Sequence, residues 1–200
     1  MKHYNGTSAA HPGMETLLHF LNSIHPMSDG LVIHLSQILK TRELRKKDYL
    51  LRAGHICRTI CFIENGLLRC FYIKGDTEIC SWFMKEGDVI VSIESFFQQK
   101  KSYESIQALE DCTLHYIEYN ELQEVYRQFP EFNFTGRVLT EKYYALWAQQ
   151  LYGLRMQTAQ ERYTWLLVNF PELLLRVPAK YLASYLGITE VTLSKIKSKK

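Results

Sequence analysis

Long apolar runs are missing: nothing in the 200 residues approaches the 18 or so needed to cross a bilayer. The opening MKHYNGTSAAHPG lacks the apolar stretch of a secretory leader, so a cytoplasmic protein is expected, with no membrane partner. Glycine (10) and proline (5) are sparse, which excludes a collagen-like or low-complexity chain. Cysteine occurs five times, at 57, 61, 70, 80 and 112. An odd number without a leader reads as reduced thiols, not as a disulfide framework. Cys57 and Cys61 do not have zinc-knuckle spacing, no second pair follows, and the seven histidines are dispersed, so no metal site is expected. No Ser/His/Asp set, carboxylate pair or phosphate-cradling glycine loop stands out. An enzyme on a cupin-like barrel would need a His/Glu cluster, and the strands offer only His55 and His115. The chain is therefore expected to have no catalytic residues and no cofactor.

What is present points elsewhere. Hydrophobic residues make up 46%, enough for a real core, and charged residues make up 22%, which excludes a disordered chain. The net charge of +3 is uneven. Residues 176–200 carry Arg176, Lys180, Lys195, Lys197, Lys199 and Lys200 against Glu190 alone, on a slightly acidic remainder. A basic end suggests a polyanion contact; a solvated lysine tail is the plainer reading.

Periodicity divides the chain. Leu17, Leu18, Leu21 and Ile24 fall on one helical face before Pro26, and Ser28 or Asp29 can cap a second helix to about Leu39. From Thr41 to Ile117, seven or eight short β-type runs alternate with turn signals such as Asn65-Gly66, Gly75-Asp76 and Gly87-Asp88. That spacing predicts an antiparallel sandwich or barrel. A proline-free stretch then predicts a helix over about 131–157, carrying Leu139, Tyr143, Leu146, Trp147, Leu151 and Leu154. Such a helix is too long for a small barrel alone, so it meets a second copy of the chain or bridges two domains; lying across its own sheet is the alternative. A further helix is predicted over about 159–169, before Pro171.

The last segment, VPAKYLASYLGITEVTLSKIKSKK, has the spacing of a helix-turn-helix. Leu182, Ala183 and Leu186 face inward from a first helix, Gly187 suits the turn, and Thr189 can cap a second helix whose Leu193 and Ile196 point to the core. Thr189, Glu190, Thr192, Ser194 and Lys195 are the candidate base-reading residues, and Lys180, Lys197, Lys199 and Lys200 complete the DNA-binding set. An ordinary helical hairpin is the plainer reading.

These residues bring a family into view. KKDYLLRAGHICRTICFIENGLLRCFY, FMKEGDVI and VPAKYLASYLGITEVTLSKIK together resemble the Crp-Fnr transcription regulators, over about residues 31–200. The resemblance implies an α+β chain in three parts. Residues 14–130 would form an antiparallel β-barrel sensor, a double-stranded β-helix of the cyclic-nucleotide-binding type. Residues 131–157 would form a dimerisation helix, and 158–200 a helix-turn-helix domain. It also implies transcription regulation as a homodimer on double-stranded DNA, with RNA polymerase as a further partner and a small-molecule effector of unknown identity. A small-molecule-binding module whose terminal helices contact protein is the alternative.

Departures from the family pattern matter as well. Cyclic-nucleotide-responsive members carry Gly-Glu and Arg-Ser pairs around the phosphate cassette, which here spans 91–106. Ser92-Ile93 and Glu104-Ser105 stand in those places. A carboxylate where the cyclic phosphate should sit repels it, so cyclic AMP is not expected to bind. The candidate pocket residues are Ser92, Ile93, Glu94, Phe96, Phe97, Glu104 and Ser105, lining either an emptied sensor or a pocket for another small molecule. No cysteine precedes Cys57, so the N-terminal iron–sulfur ligands of Fnr-like members are not expected. In the second terminal helix the family's acidic base-reading residue is displaced by one: Glu190 is followed by Val191. The chain ends at Lys200, so any β-hairpin wing is expected before the helix-turn-helix or not at all.

Overall fold

Two helices lead into the β-rich part: α1 (Pro12–Ile24) buries Leu17 and Leu21, and α2 (Asp29–Ile38) buries Leu31 and Leu35. Ser28 starts α2, its hydroxyl accepting from the Leu31 amide at 3.3 Å. The computed structural model describes residues 12–198; Lys199 and Lys200 lie outside them.

Eight strands follow among the described residues: β1 (Lys40–Leu44), β2 (Tyr49–Leu51), β3 (Thr59–Asn65), β4 (Leu68–Lys74), β5 (Thr77–Met84), β6 (Val89–Ile90), β7 (Glu104–Ala108) and β8 (Cys112–Glu118). The short helix α3 (Ile93–Gln98) interrupts them. They pair antiparallel into two four-stranded sheets, in the orders β1-β8-β3-β6 and β2-β7-β4-β5. This corrects the expected barrel: two separate sheets face each other as a jelly-roll sandwich, without closing on themselves. Leu68, Cys70, Ile106 and Ala108 from one sheet meet Cys61, Ile63 and Leu114 from the other, and α1, α2 and α4 (Tyr119–Gln128) complete this core.

The turn between β3 and β4 shows why Asn65-Gly66 reads as it does. Gly66 sits at φ +104°, and a Cβ there would lie 2.5 Å from Cys112 Sγ and 2.6 Å from the Asp111 carbonyl. Only glycine suits both the backbone angle and the space.

The long helix α5 (Phe132–Met156) runs 25 residues, close to the predicted span. After it come α6 (Ala159–Asn169), α7 (Leu173–Arg176), α8 (Ala179–Tyr185) and α9 (Glu190–Lys197). Thr158 and Glu161 form a reciprocal capping box that starts α6. Leu166, Leu173, Val177, Leu182 and Leu193 share one buried cluster with Leu67, Phe71, Cys80 and Phe83 of the sandwich. The C-terminal helices are thus packed directly on the outer side of the β4–β5 sheet.

Candidate functional site

Within residues 91–106 several side chains turn into the core or bond within the chain. Phe96 is fully buried in the sandwich core, edge-to-face with Phe97 and Tyr119 at 5.4 and 5.3 Å. Ser95 accepts from the Cys57 amide at 2.9 Å and donates to the Lys100 carbonyl at 2.5 Å. Ser92 and Ser102 share a hydrogen bond of 3.0 Å, and Ser105 accepts from the Ala53 amide at 3.0 Å. Burial pushes the Glu104 carboxyl up, against hydrogen bonds from Ser92 and Tyr72 that favour its charged form. Ile93 and Phe97 point outward and are more than half exposed, and Glu94 pairs with Lys100. The seven candidate pocket residues therefore divide into a buried set (Ser92, Phe96, Ser105) and an outer set, with Glu104 at the boundary. The buried arginine of this sheet is Arg69, and it serves the opposite face. It donates to Glu78 and Gln107 at 2.7 Å each and stacks 3.8 Å from the Tyr181 ring of α8. An anion entering between the sheets would meet a carboxyl group, not a guanidinium.

The α8–α9 pair is built as its sequence requires. Gly187 takes φ +65°, its amide donates to the Ser184 carbonyl, and the Ile188 amide donates to the Ala183 carbonyl, each at 3.0 Å. These two bonds are the Schellman pattern that stops a helix at a left-handed residue. Thr189 caps α9 by accepting from the Thr192 amide at 3.1 Å. Leu182, Ala183, Leu186, Leu193 and Ile196 are all buried. Glu190, Ser194, Lys195 and Lys197 are exposed, as are Thr189 and Lys180. Thr192 is half-buried and spends its hydroxyl on Thr189 at 2.9 Å.

Three contacts that local sequence patterns did not reveal fix the C-terminal helices, two to the sandwich and one to the end of α5. Ser184 accepts from the Cys80 amide at 2.9 Å and donates to the Glu78 carbonyl at 3.1 Å, on the outermost strand of its sheet. Arg176 reaches Glu86 and Glu110 in two adjacent turns. Arg162 donates to the carbonyls of Gln157 and Leu186, stitching the end of α5 to the α8–α9 turn.

On α5, the six predicted contact residues separate by direction. Leu139 packs on the sandwich core, and the Tyr143 hydroxyl accepts from the Val89 amide at 2.7 Å. Both serve the chain's own fold, and Leu146 is half-buried. Trp147, Leu151 and Leu154 are exposed, and Tyr144, which the sequence reading passed over, joins them at 70% exposure.

Residues 41–129 match the cyclic nucleotide-binding domain family. No curated protein sequence matches the chain. Among solved structures, FixK2 from Bradyrhizobium japonicum aligns with a TM-score of 0.72 at 16% identity, covering 81% of this chain and 84% of FixK2. The c-di-GMP responsive global regulator CLP of Xanthomonas campestris aligns at 0.66 and 14% identity, over 86% of this chain and 91% of CLP. The regulatory subunit of a cAMP-independent protein kinase A from Trypanosoma brucei aligns at 0.54 and 18% identity, over 74% of this chain but 55% of that subunit. At these identities the likeness is one of fold. Among the described residues, no helix is long and apolar enough to cross a membrane, and no cluster of His, Cys, Asp and Glu is placed to hold a metal ion.

Proposed function

We propose that this chain is a sequence-specific, homodimeric DNA-binding transcription regulator of the Crp-Fnr type that does not respond to cyclic AMP. The observation that carries this reading is the α8–Gly187–α9 unit. We read it as a helix-turn-helix with its five apolar contacts buried and an exposed, lysine-bearing outer face on its second helix. Near end-to-end likeness to FixK2 and CLP supports the same arrangement of sensor, long helix and terminal helices. Tyr144, Trp147, Leu151 and Leu154 follow one another at spacings of three, four and three, the a/d rhythm of a two-stranded coiled coil. Such a stripe suits a parallel partner helix, which would set two recognition helices about a two-fold axis. Glu104 and the buried Phe96 argue against a cyclic phosphate between the sheets. All five thiols are free and buried, which fits a reducing compartment.

The docking of α8 on β5 favours one other reading: a sensor module whose terminal helices bind protein. Affinity for duplex DNA measured against salt separates the two. A regulator shows a selective site and a steep negative slope of log K against log salt. Absence of any duplex preference, with no salt dependence, refutes the DNA reading and leaves the protein-binding one.

A further inference from the structure

The outward face of α9 is centred on a residue that cannot make a hydrogen bond through its side chain. Leu193 and Ile196 are buried and define the inward direction of the helix. At about 100° per residue, Val191 points roughly 170° away from their mean direction. Ser194 and Lys195 lie about 130° away on either side, while Glu190, Thr192 and Lys197 fall at roughly 70–90°, on the flanks. Exposure agrees with the wheel. Val191 is 64% exposed, and Thr192 is half-buried and tied into the helix cap. A β-branched residue on an open helix face lowers helix propensity and gains no packing. In a major groove it has one matching partner, the C5-methyl of thymine, which is the apolar group on the base edges there.

We propose that Val191 is a specificity-determining residue that selects a thymine by packing its isopropyl group on the base's C5-methyl. The proposal rests on the DNA-binding reading and deepens it: an A·T pair lies beneath the centre of α9 in the preferred site. Ser194 and Lys195, one turn further along and to either side, reach the neighbouring base edges or phosphates. Cytosine in the same place lacks the C5-methyl and gives the Val191 isopropyl group nothing to pack on, which disfavours it.

The test begins by enriching duplexes bound by the full chain from a random library. Each dT of the enriched sequence is then replaced in turn by dU, which removes the methyl group alone. At one thymine position the wild type should lose about fourfold in affinity, the worth of one buried methyl group. Val191→Ala should lose a similar factor on the thymine duplex, no longer distinguish dT from dU there, and keep the wild-type salt slope. Its circular dichroism melting curve should match the wild type or lie slightly above it, because Val191 is on the surface and alanine is the better helix former. Wild-type affinity indifferent to every dT-to-dU change overturns the proposal, as does a Val191→Ala protein still sensitive at that position. If no sequence is enriched and no duplex binds, the DNA-binding reading itself fails and the proposal falls with it.

Discussion

Arg176 forks onto Glu86: its two terminal guanidinium nitrogens each lie 2.8 Å from a different carboxylate oxygen, across 90 residues of sequence. The same side chain reaches Glu110 at 2.5 and 3.0 Å, and Glu86 also accepts from the Gly66 amide at 2.9 Å. One arginine of the C-terminal helices thereby gathers three turns at one end of the sandwich. Arg176→Ala should weaken this docking by about 1–2 kcal/mol, a charge-assisted fork reduced by solvent screening at the partly exposed carboxylates. Faster amide exchange in α7 and α8, with β3 and β8 unchanged, is the expected signature. Unchanged exchange in α7 and α8 would contradict it.

The same fork sets an acid limit. Arg176 holds the Glu86 carboxyl down at about 2, against an ordinary value of 4.5. A carboxyl depressed in the folded state contributes stability that is fully present above its unfolded value and is lost as pH falls toward the folded one. Docking should therefore weaken between about pH 4.5 and pH 2 in the wild type. Arg176→Ala should flatten that part of the melting-temperature profile.

Glu104 behaves in the opposite sense. Burial raises its carboxyl, so its contribution is fully present below the unfolded value and lost as pH rises through the folded one. Glu104→Gln keeps an oxygen to accept from Tyr72 and Ser92 and removes the buried charge. At pH 7 the variant should be more stable than the wild type by about 1 kcal/mol, and at pH 4 the two should converge in urea titrations. A variant less stable than the wild type at pH 7 would contradict this.

Cyclic AMP should bind more weakly than about 100 µM by calorimetry. Two charge-assisted contacts are missing, and together they are worth on the order of 10²–10⁴ in affinity. Glu104→Arg alone should not restore binding, because Ser92-Ile93 supplies no acidic partner for the ribose and Phe96 remains in the core. Micromolar binding to the wild type would refute this.

Light scattering should return about twice the 23.5 kDa chain mass. Leu151→Asp should shift the mass toward the monomer, because it would place an unpaired charge in the proposed coiled-coil seam. Tyr143→Phe should remain dimeric, since it removes a hydrogen bond to the Val89 amide within the chain and leaves the seam intact.

Short-range chemistry was legible in the sequence. Asn65-Gly66, Gly187 and the cap at Thr189 each act within a few residues, and each element they delimit stands close to its predicted place. Sheet closure was not legible, because hairpin turns count strands without deciding which edges meet. Neither was the rotation of α5. Tyr143 and Tyr144 are adjacent, both aromatic, and alike to a pattern search, yet one is hydrogen-bonded to β6 and the other is 70% exposed. Neighbouring aromatics are divided in the same way at 96 and 97, with Phe96 in the core and Phe97 facing out. Arg176–Glu86 and Ser184–Cys80 span 90 and 104 residues, and no local signal links such partners.

The placement of α8 along β5 also bears on solubility. β5 is the outer strand of its sheet, and an uncovered strand edge is a template for pairing with another molecule. Ser184 occupies the Cys80 amide and the Glu78 carbonyl, and the rings of Trp82 and Phe83 lie 6.5 and 5.3 Å from that of Tyr185. Helix α8 thus doubles as an edge guard. Lifting it would expose backbone and aromatic surface together, so a molecule with its terminal helices released would be prone to self-association through β5 as its concentration rises.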